Sequence, residues 1–329
     1  MTLLVALVTL AAVFGGLLTF FLHRVLLRHA VLDQPNERSM HRQPVPRGGG
    51  LAIMLVMVPG LALAFYLQGH FMPQGWLLFA LLLLIAVSWL DDRKGLHPGI
   101  RLAAHLLAAT LGSFAFTHEQ TIFGSALPFW VDRVLMIVGW AWFMNITNFM
   151  DGIDGIAGIE AISIAIGAGL ILSLLFANDP FSYALIALLV GACGGFLVFN
   201  WHPAVIFLGD VGSIPLGFLT GYFLIVLATL HQLAPALILP LVYLADSSIT
   251  LARRLLRGEK VWHAHCEHFY QRATQAAGRH DTVVLWIALA NIALIGTAIL
   301  AVLFPLPGLG LALVIVALLL GKMHKASQS

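Results

Sequence analysis

Apolar residues fall in long, unalternating runs along this chain, each bounded by proline, glycine or a cluster of charges. A transmembrane helix needs about 20 apolar residues. Runs of that kind recur over roughly 2–22, 49–68, 75–90, 100–117, 134–148, 157–177, 182–200, 212–230, 234–252, 282–303 and 308–321. Strands are disfavoured, because lipid-facing backbone must satisfy its own hydrogen bonds and the runs are too long and uniform for a barrel. The pattern predicts an all-α polytopic membrane protein of about eleven transmembrane helices with its chemistry in cytoplasmic loops. It forms a single membrane domain over residues 1–329, without a soluble domain, low-complexity tract or short-period repeat.

Composition agrees. Of 329 residues, 60% are hydrophobic and 10% charged, and the mean hydropathy is +0.95. A soluble domain runs at about 45–50% apolar and about 25% charged, so a soluble enzyme and a disordered chain are both excluded. The 17 Lys and Arg against 15 Asp and Glu give +2, too balanced for a nucleic-acid partner. Cys193 sits in an apolar run and Cys266 in a charged loop, which implies no disulfide framework. The N-terminal run lacks a basic leader and a small-residue cleavage site, and reads as a retained first span.

Basic residues orient the spans. With the N-terminus outside, the inward loops hold Arg24, Arg28, Arg38, Arg42 and Arg47, then Arg93, Lys94 and Arg101. Arg253, Arg254, Arg257, Lys260, Arg272 and Arg279 follow, with Lys322 and Lys325 on the tail, and only Arg133 falls outside. This positive-inside bias predicts a bacterial inner-membrane protein with a periplasmic N-terminus and a cytoplasmic C-terminus.

The same topology gathers carboxylates. Asp91 and Asp92 follow span three, Asp151 and Asp154 span five, and Asp210 span seven, all at inward helix ends. Glu119, Asp132 and Asp179 sit among ordinary turn residues on the other side. One carboxylate at an interface is unremarkable, since it escapes most of the roughly 2.5–3.5 kcal/mol cost of a charge at the membrane centre. Five on one rim need a counter-charge. Neighbours on a helix diverge, so Asp91 and Asp92 are expected to face different partners. Asp151 and Asp154 share a face if their stretch is helical, and Gly152, Gly155 and Gly158 suit close helix packing.

Between Asn200 and Ser213, Pro203 stops span seven while Gly209 and Gly212 bracket Asp210. Such a turn exposes N–H groups at the start of span eight, where the helix dipole favours anions. An acid beside an anion cradle suits a metal bridging protein to phosphate, and Mg²⁺ usually takes one or two carboxylates plus phosphate oxygens. Arg47-Gly-Gly-Gly50 opens span two with another basic turn, weak by itself as a phosphate motif. In the longest inward loop, roughly 253–281, His263, His265 and His268 leave three readings open: a structural zinc site, a solvated basic loop, or a cationic loop touching phosphate. His265 and His268 can share a helical face, whereas His263 and His265 cannot.

In this order the elements resemble the polyprenyl-phosphate N-acetylhexosamine-1-phosphate transferases of glycosyltransferase family 4. That family includes phospho-MurNAc-pentapeptide translocase and the enzymes that start O-antigen and enterobacterial polysaccharides. The stretches that carry the likeness are Asp33-Gln-Pro-Asn36 with Arg47-Gly-Gly-Gly50, then Asp91-Asp92, then Asn148-x-x-Asp151-Gly-x-Asp154. Asn200-x-x-Pro203 running into Phe207-x-Gly-Asp210, and the histidine loop, complete them. The resemblance implies transfer of a sugar-1-phosphate from a UDP-N-acetylhexosamine to undecaprenyl phosphate, with release of UMP and with Mg²⁺, or Mn²⁺ in its place.

By the family pattern Asp210 is the metal ligand, and Asp91 and Asp92 are catalytic acids near the lipid phosphate. Asn148, Asp151 and Asp154 lie on the nucleotide side, Asn200 and Phe207 contact uridine, and His268 is the essential histidine, with His265 beside it. Arg47, Arg93, Arg101 and Arg272 are expected to hold phosphate charge. The translocase carries consecutive histidines where this chain has His265-x-x-His268, and its lysine after the aspartate pair sits one place beyond Lys94. Both departures favour the O-antigen-initiating branch. Asp91 is open to two roles, general base or positioning group, because a phosphate monoester is mostly dianionic at neutral pH. A homodimer is compatible with the sequence.

Glu160 and Asp246, inside spans six and nine, support a rival reading as a transporter. A CDP-alcohol type of phosphotransferase is a third. A transporter places its acids near the midplane at broken helices, whereas most acids here sit at one interface.

Overall fold

The computed structural model describes residues 2–33, 44–68, 74–177, 179–259 and 265–328. Gln34, Pro35 and Asn36 of the first motif, together with Arg38, Arg42, Lys260 and His263, lie outside the described residues. In chain order the helices are α1 (Thr2–Arg28), α2 (Gly50–Gln68), α3 (Gly75–Lys94), α4 (Pro98–Ser113), α5 (Phe129–Phe149), α6 (Ile156–Leu174) and α7 (Pro180–Asn200). They continue with α8 (Asp210–Thr229), α9 (Leu233–Ile238), α10 (Leu241–Leu256), α11 (Phe269–Ala277), α12 (His280–Leu303) and α13 (Pro305–Ala326). Among the described residues, nine helices are long and apolar enough to cross a membrane. The chain is an all-α, multi-pass membrane protein, and among the described residues the strands are a two-residue pair, β1 (Leu32–Asp33) against β2 (Val45–Pro46).

Two of the eleven expected spans differ. The fourth appears as α4, with 16 residues, about 24 Å long at 1.5 Å per residue and short of a hydrocarbon core of about 30 Å. The ninth is broken at Leu239-Pro240 into α9 and α10. Pro240 has no N–H to donate and its ring clashes with the preceding turn, so the run cannot stay one helix.

Helix α8 is the centre of the bundle. Every residue but Leu224 is buried, as expected of a helix that is apolar on all sides. Trp140 of α5 stacks flat on Phe218, ring centroids 4.6 Å apart, and donates its indole N–H to the Phe218 carbonyl at 2.9 Å. Helix α1 lies along α7 through Gly15, Gly191 and Gly195, where the backbones touch. At the end of the bundle expected to face outward, the charges have turn-closing roles. Arg133 donates to the Ser113 and Thr117 carbonyls, Asp132 accepts from the Ile122 and Phe123 N–H groups, and Asp179 caps α7.

The start of α2 is pressed against the start of α8. A Cβ on Gly50 would stand 2.1 Å from the Gly212 Cα, a backbone atom that cannot swing aside. Gly50→Ala is therefore expected to destabilise the protein by about 3 kcal/mol or more, read as a fall in melting temperature in detergent. Gly139→Ala, with nothing within 4 Å of its added Cβ, should stay within about 0.5 kcal/mol of the parent.

Candidate active site

The site begins with a cap. Helix α8 starts with unpaired N–H groups, and Asp92, from the end of α3, accepts both first ones: Asp210 N–H at 3.0 Å on Oδ1 and Val211 N–H at 3.0 Å on Oδ2. The expected open anion cradle is thus already filled by a carboxylate of the protein. The glycine turn before α2 is likewise occupied. Gly48 and Gly49 donate to the Phe207 carbonyl and Gly50 to that of Leu208, which binds this turn to the loop that carries Asp210.

Arg47 closes the unit. Its Nε lies 2.9 Å from Asp92 Oδ1 and its Nη2 2.8 Å from Asp210 Oδ1. Burial works against its charge, but Asp210, Asp92 and Asp33 outweigh that and hold its proton more tightly than usual. Asp91 faces the other way, as expected of a helix neighbour. It accepts from the Leu96 N–H at 2.6 Å and pairs with Arg101 at 3.1 Å. Arg101 Nη1 also lies 3.8 Å from Asp210 Oδ2, so one guanidinium serves both carboxylates. Asn148, at the end of α5, donates to Asp210 Oδ1 at 3.0 Å and to Ser213 Oγ at 2.9 Å.

Asp151 and Asp154 do not share a face, because residues 151–155 form a turn and not a helix. The half-buried Asp151 carboxyl is pushed up to about 8 by burial and by the negative charge of Asp210, with Arg47 opposing. Asp154 turns instead to His202 and His280, with Nδ1 atoms at 2.8 Å and 3.1 Å. Burial would raise its pKa, yet His280 and His202 hold it below the usual carboxylate range. Asn200, expected at uridine, uses its amide to bind backbone, accepting from Gly155 N–H at 3.0 Å and donating to the Ile206 carbonyl at 2.8 Å. Phe207 is half-buried at the loop crest, its backbone bridged to Arg47.

His268 is buried at the start of α11, its Nδ1 3.0 Å from Asp246 of α10. The same carboxylate accepts the Phe269 and Tyr270 N–H groups at 3.1 Å and 3.0 Å. Asp246 therefore reaches the rim, whereas Glu160 accepts from Asn291 inside the bundle. Tyr270 ties α11 to the 150–155 turn by donating to the Phe149 carbonyl at 3.1 Å. His265 stacks on His268 with centroids 4.8 Å apart. Arg93 is exposed with its guanidinium over the Trp89 ring, and Arg272 is half-buried on α11. Tyr270, His202 and His280 carry no sign of a role in the sequence, because each stands alone without a spacing that marks a site.

Residues 75–228 match the profile of a family described as glycosyl transferase family 4. A probable undecaprenyl-phosphate N-acetylglucosaminyl 1-phosphate transferase from Bacillus subtilis is 28% identical over 288 residues, covering 83% of this chain and 78% of that protein. A decaprenyl-phosphate N-acetylglucosaminephosphotransferase from Mycolicibacterium smegmatis is 28% identical over 316 residues, with 85% and 77% covered. A phospho-N-acetylmuramoyl-pentapeptide-transferase from Synechococcus elongatus is 30% identical over 230 residues, covering 64% and 61%. The chain is similar to glycosyl transferase family 4 over residues 75–228, and to these transferases over most of its length.

At the rim of the bundle, Asp91, Asp92, Asp151 and Asp210 face two guanidinium groups, Arg47 and Arg101. That leaves an excess of carboxylate, and a single guanidinium, that of Arg101, serves both Asp91 and Asp210. Like charges in contact favour a shared proton or a bound divalent ion. The hard, all-oxygen donor set fits Mg²⁺, with Asp210 and Asp91 as the residues that would hold it. A bound cation would compete with the proton on Asp151, whose carboxyl is pushed up to about 8 by burial and by the charge of Asp210. Mg²⁺ affinity, read by calorimetry on the full chain, is expected to rise by up to about tenfold per pH unit below that value and to level off above it. Asp151→Asn should flatten the profile, and a flat profile in the parent would contradict the coupling.

Proposed function

We propose that this protein transfers N-acetylhexosamine-1-phosphate from a UDP-sugar to undecaprenyl phosphate and releases UMP. The observation that carries the reading is the meeting of Asp91, Asp92, Asp210, Asn148, Arg47 and Arg101 at one rim of the helical bundle. The names of the family relatives agree with it. The basic residues on the same rim support a cytoplasmic active site, with the N-terminus periplasmic. Two features favour an O-antigen-initiating donor preference, a UDP-N-acetylhexosamine such as UDP-GlcNAc. One is the spaced pair His265 and His268 in place of consecutive histidines, and the other is the similarity to N-acetylglucosamine-1-phosphate transferases.

Two polyanions must meet, so the barrier is mainly electrostatic. Mg²⁺, when bound, would neutralise the diphosphate and stabilise the departing UMP. The chain's own residues do the rest. Arg47 and Arg101 hold the remaining phosphate charge, Asp91 orients Arg101 toward the acceptor, and Asn148 fixes the Asp210 carboxylate. An acceptor with a second pKa of about 6 needs no base at neutral pH, which makes Asp91 a positioning group. His268 is held by Asp246 at the start of α11, with His265 stacked on it.

The acceptor's tail needs an apolar bed. A recess lined by Met136, Gly139 and Trp140 of α5, Gly221 and Ile225 of α8, and Leu244 of α10 offers one. Gly139→Phe fills open space there and is expected to raise the KM for undecaprenyl phosphate about tenfold or more, with the KM for the UDP-sugar unchanged. The reading itself is tested by UMP release from UDP-GlcNAc with undecaprenyl phosphate and Mg²⁺. Asp210→Asn should lower the rate by about a thousandfold or more at any metal concentration. No UMP release with any UDP-N-acetylhexosamine, or full rescue of the variant by excess metal, would overturn it.

A further inference from the structure

We propose that Asp154, His202 and His280 form a second cation site, chemically unlike the carboxylate cluster, which takes a transition-metal ion of the Zn²⁺ kind. The three residues belong to the turn before α6, the loop after α7 and the first position of α12. One ligand atom from each lies within 4.8 Å of the others. His202 Nδ1 stands 2.8 Å and His280 Nδ1 3.1 Å from the same oxygen, Asp154 Oδ2, which also accepts the Ala204 N–H at 3.1 Å. Ligands about 2.1 Å from a tetrahedral ion lie about 3.4 Å apart, so the His280 contact would open by about 0.3 Å and the His202 contact by about 0.6 Å to admit one.

His280 Nδ1 faces both a backbone N–H and a carboxylate oxygen, and the two contacts call for different tautomers. Its Nδ1 accepts the Asp154 N–H at 3.2 Å, which requires a lone pair on that nitrogen. The same lone pair then faces the Asp154 carboxylate oxygen at 3.1 Å. A proton on Nδ1 would relieve the second contact and spoil the first. A metal ion at Nδ1 would take this same lone pair in place of the Asp154 N–H, which would have to turn away as the site fills.

The donor set decides the ion. Two imidazoles and one carboxylate suit Zn²⁺, Co²⁺ or Ni²⁺, whereas Mg²⁺ takes oxygen ligands and would remain with Asp91 and Asp210. Access comes from the side of His202, whose side chain is 25% exposed against 9% for His280 and 6% for Asp154. An ion held there ties together three segments that enclose the candidate active site. This assignment does not rest on the transferase reading, and its test needs no turnover.

The test uses the full chain without a histidine tag, purified in detergent, stripped with chelator and kept in saturating Mg²⁺. Zn²⁺ or Co²⁺ is expected to bind at one ion per chain by elemental analysis after gel filtration, to raise the melting temperature, and to give Co²⁺ visible ligand-field bands. His202→Gln and His280→Gln should each weaken that binding by about tenfold or more, while His265→Gln and Asp210→Asn leave it unchanged. His202, being partly exposed, keeps the test open if His280→Gln does not fold. Displacement by Mg²⁺, a stoichiometry far below one, or unchanged binding in His202→Gln would overturn the proposal.

Discussion

The rim of this protein depends on one interaction, a side chain of one helix satisfying the N–H groups at the start of another. Asp92 of α3 does this for α8, and Asp246 of α10 does it for α11, each with both carboxylate oxygens. Asn200 at the end of α7 does the same for Gly155, which caps α6. Such a cap contributes about 1 kcal/mol, and up to about 2 where the helix dipole adds to it. Its geometric effect is larger than its energy. A carboxylate held by two adjacent N–H groups ties the end of its own helix to the start of the next, so independent spans become one surface.

This explains how the aspartates on one rim acquire different roles. Asp92 is committed to α8 and Arg47, Asp154 to two histidines, and Asp246 to His268. Asp91 and Asp210 are left facing each other beside Arg101. The proposed phosphoryl transfer needs that pair free, and needs α8 to be immovable behind it. Burial of nearly the whole of α8 supplies the second condition.

Much of this was legible in the chain. Long apolar runs gave the spans, because lipid forces backbone groups into helices. The basic loops and the recurrence of Asp beside Gly and Asn marked the rim before any contact was known. Three things were not legible. A cap between residues 118 apart, such as that of Asp92 on Asp210, leaves no local pattern, so the start of α8 read as an open anion site. The turn at 151–155 has helical spacing but a left-handed Gly155 at φ +81°, which separated Asp151 from Asp154. Pro240 did carry a local signal, yet the apolar run around it was long enough to read as one span.

The most direct test is amide hydrogen exchange, by mass spectrometry in detergent, on the peptide that spans Gly209 to Ser213 in the parent and in Asp92→Ala. Loss of a cap of about 1–2 kcal/mol should speed exchange there by about 5- to 30-fold, with the interior of α8 as protected as before. Equal protection of the helix start in both proteins would mean that Asp92 does not hold α8, and the account of the rim would fail with it.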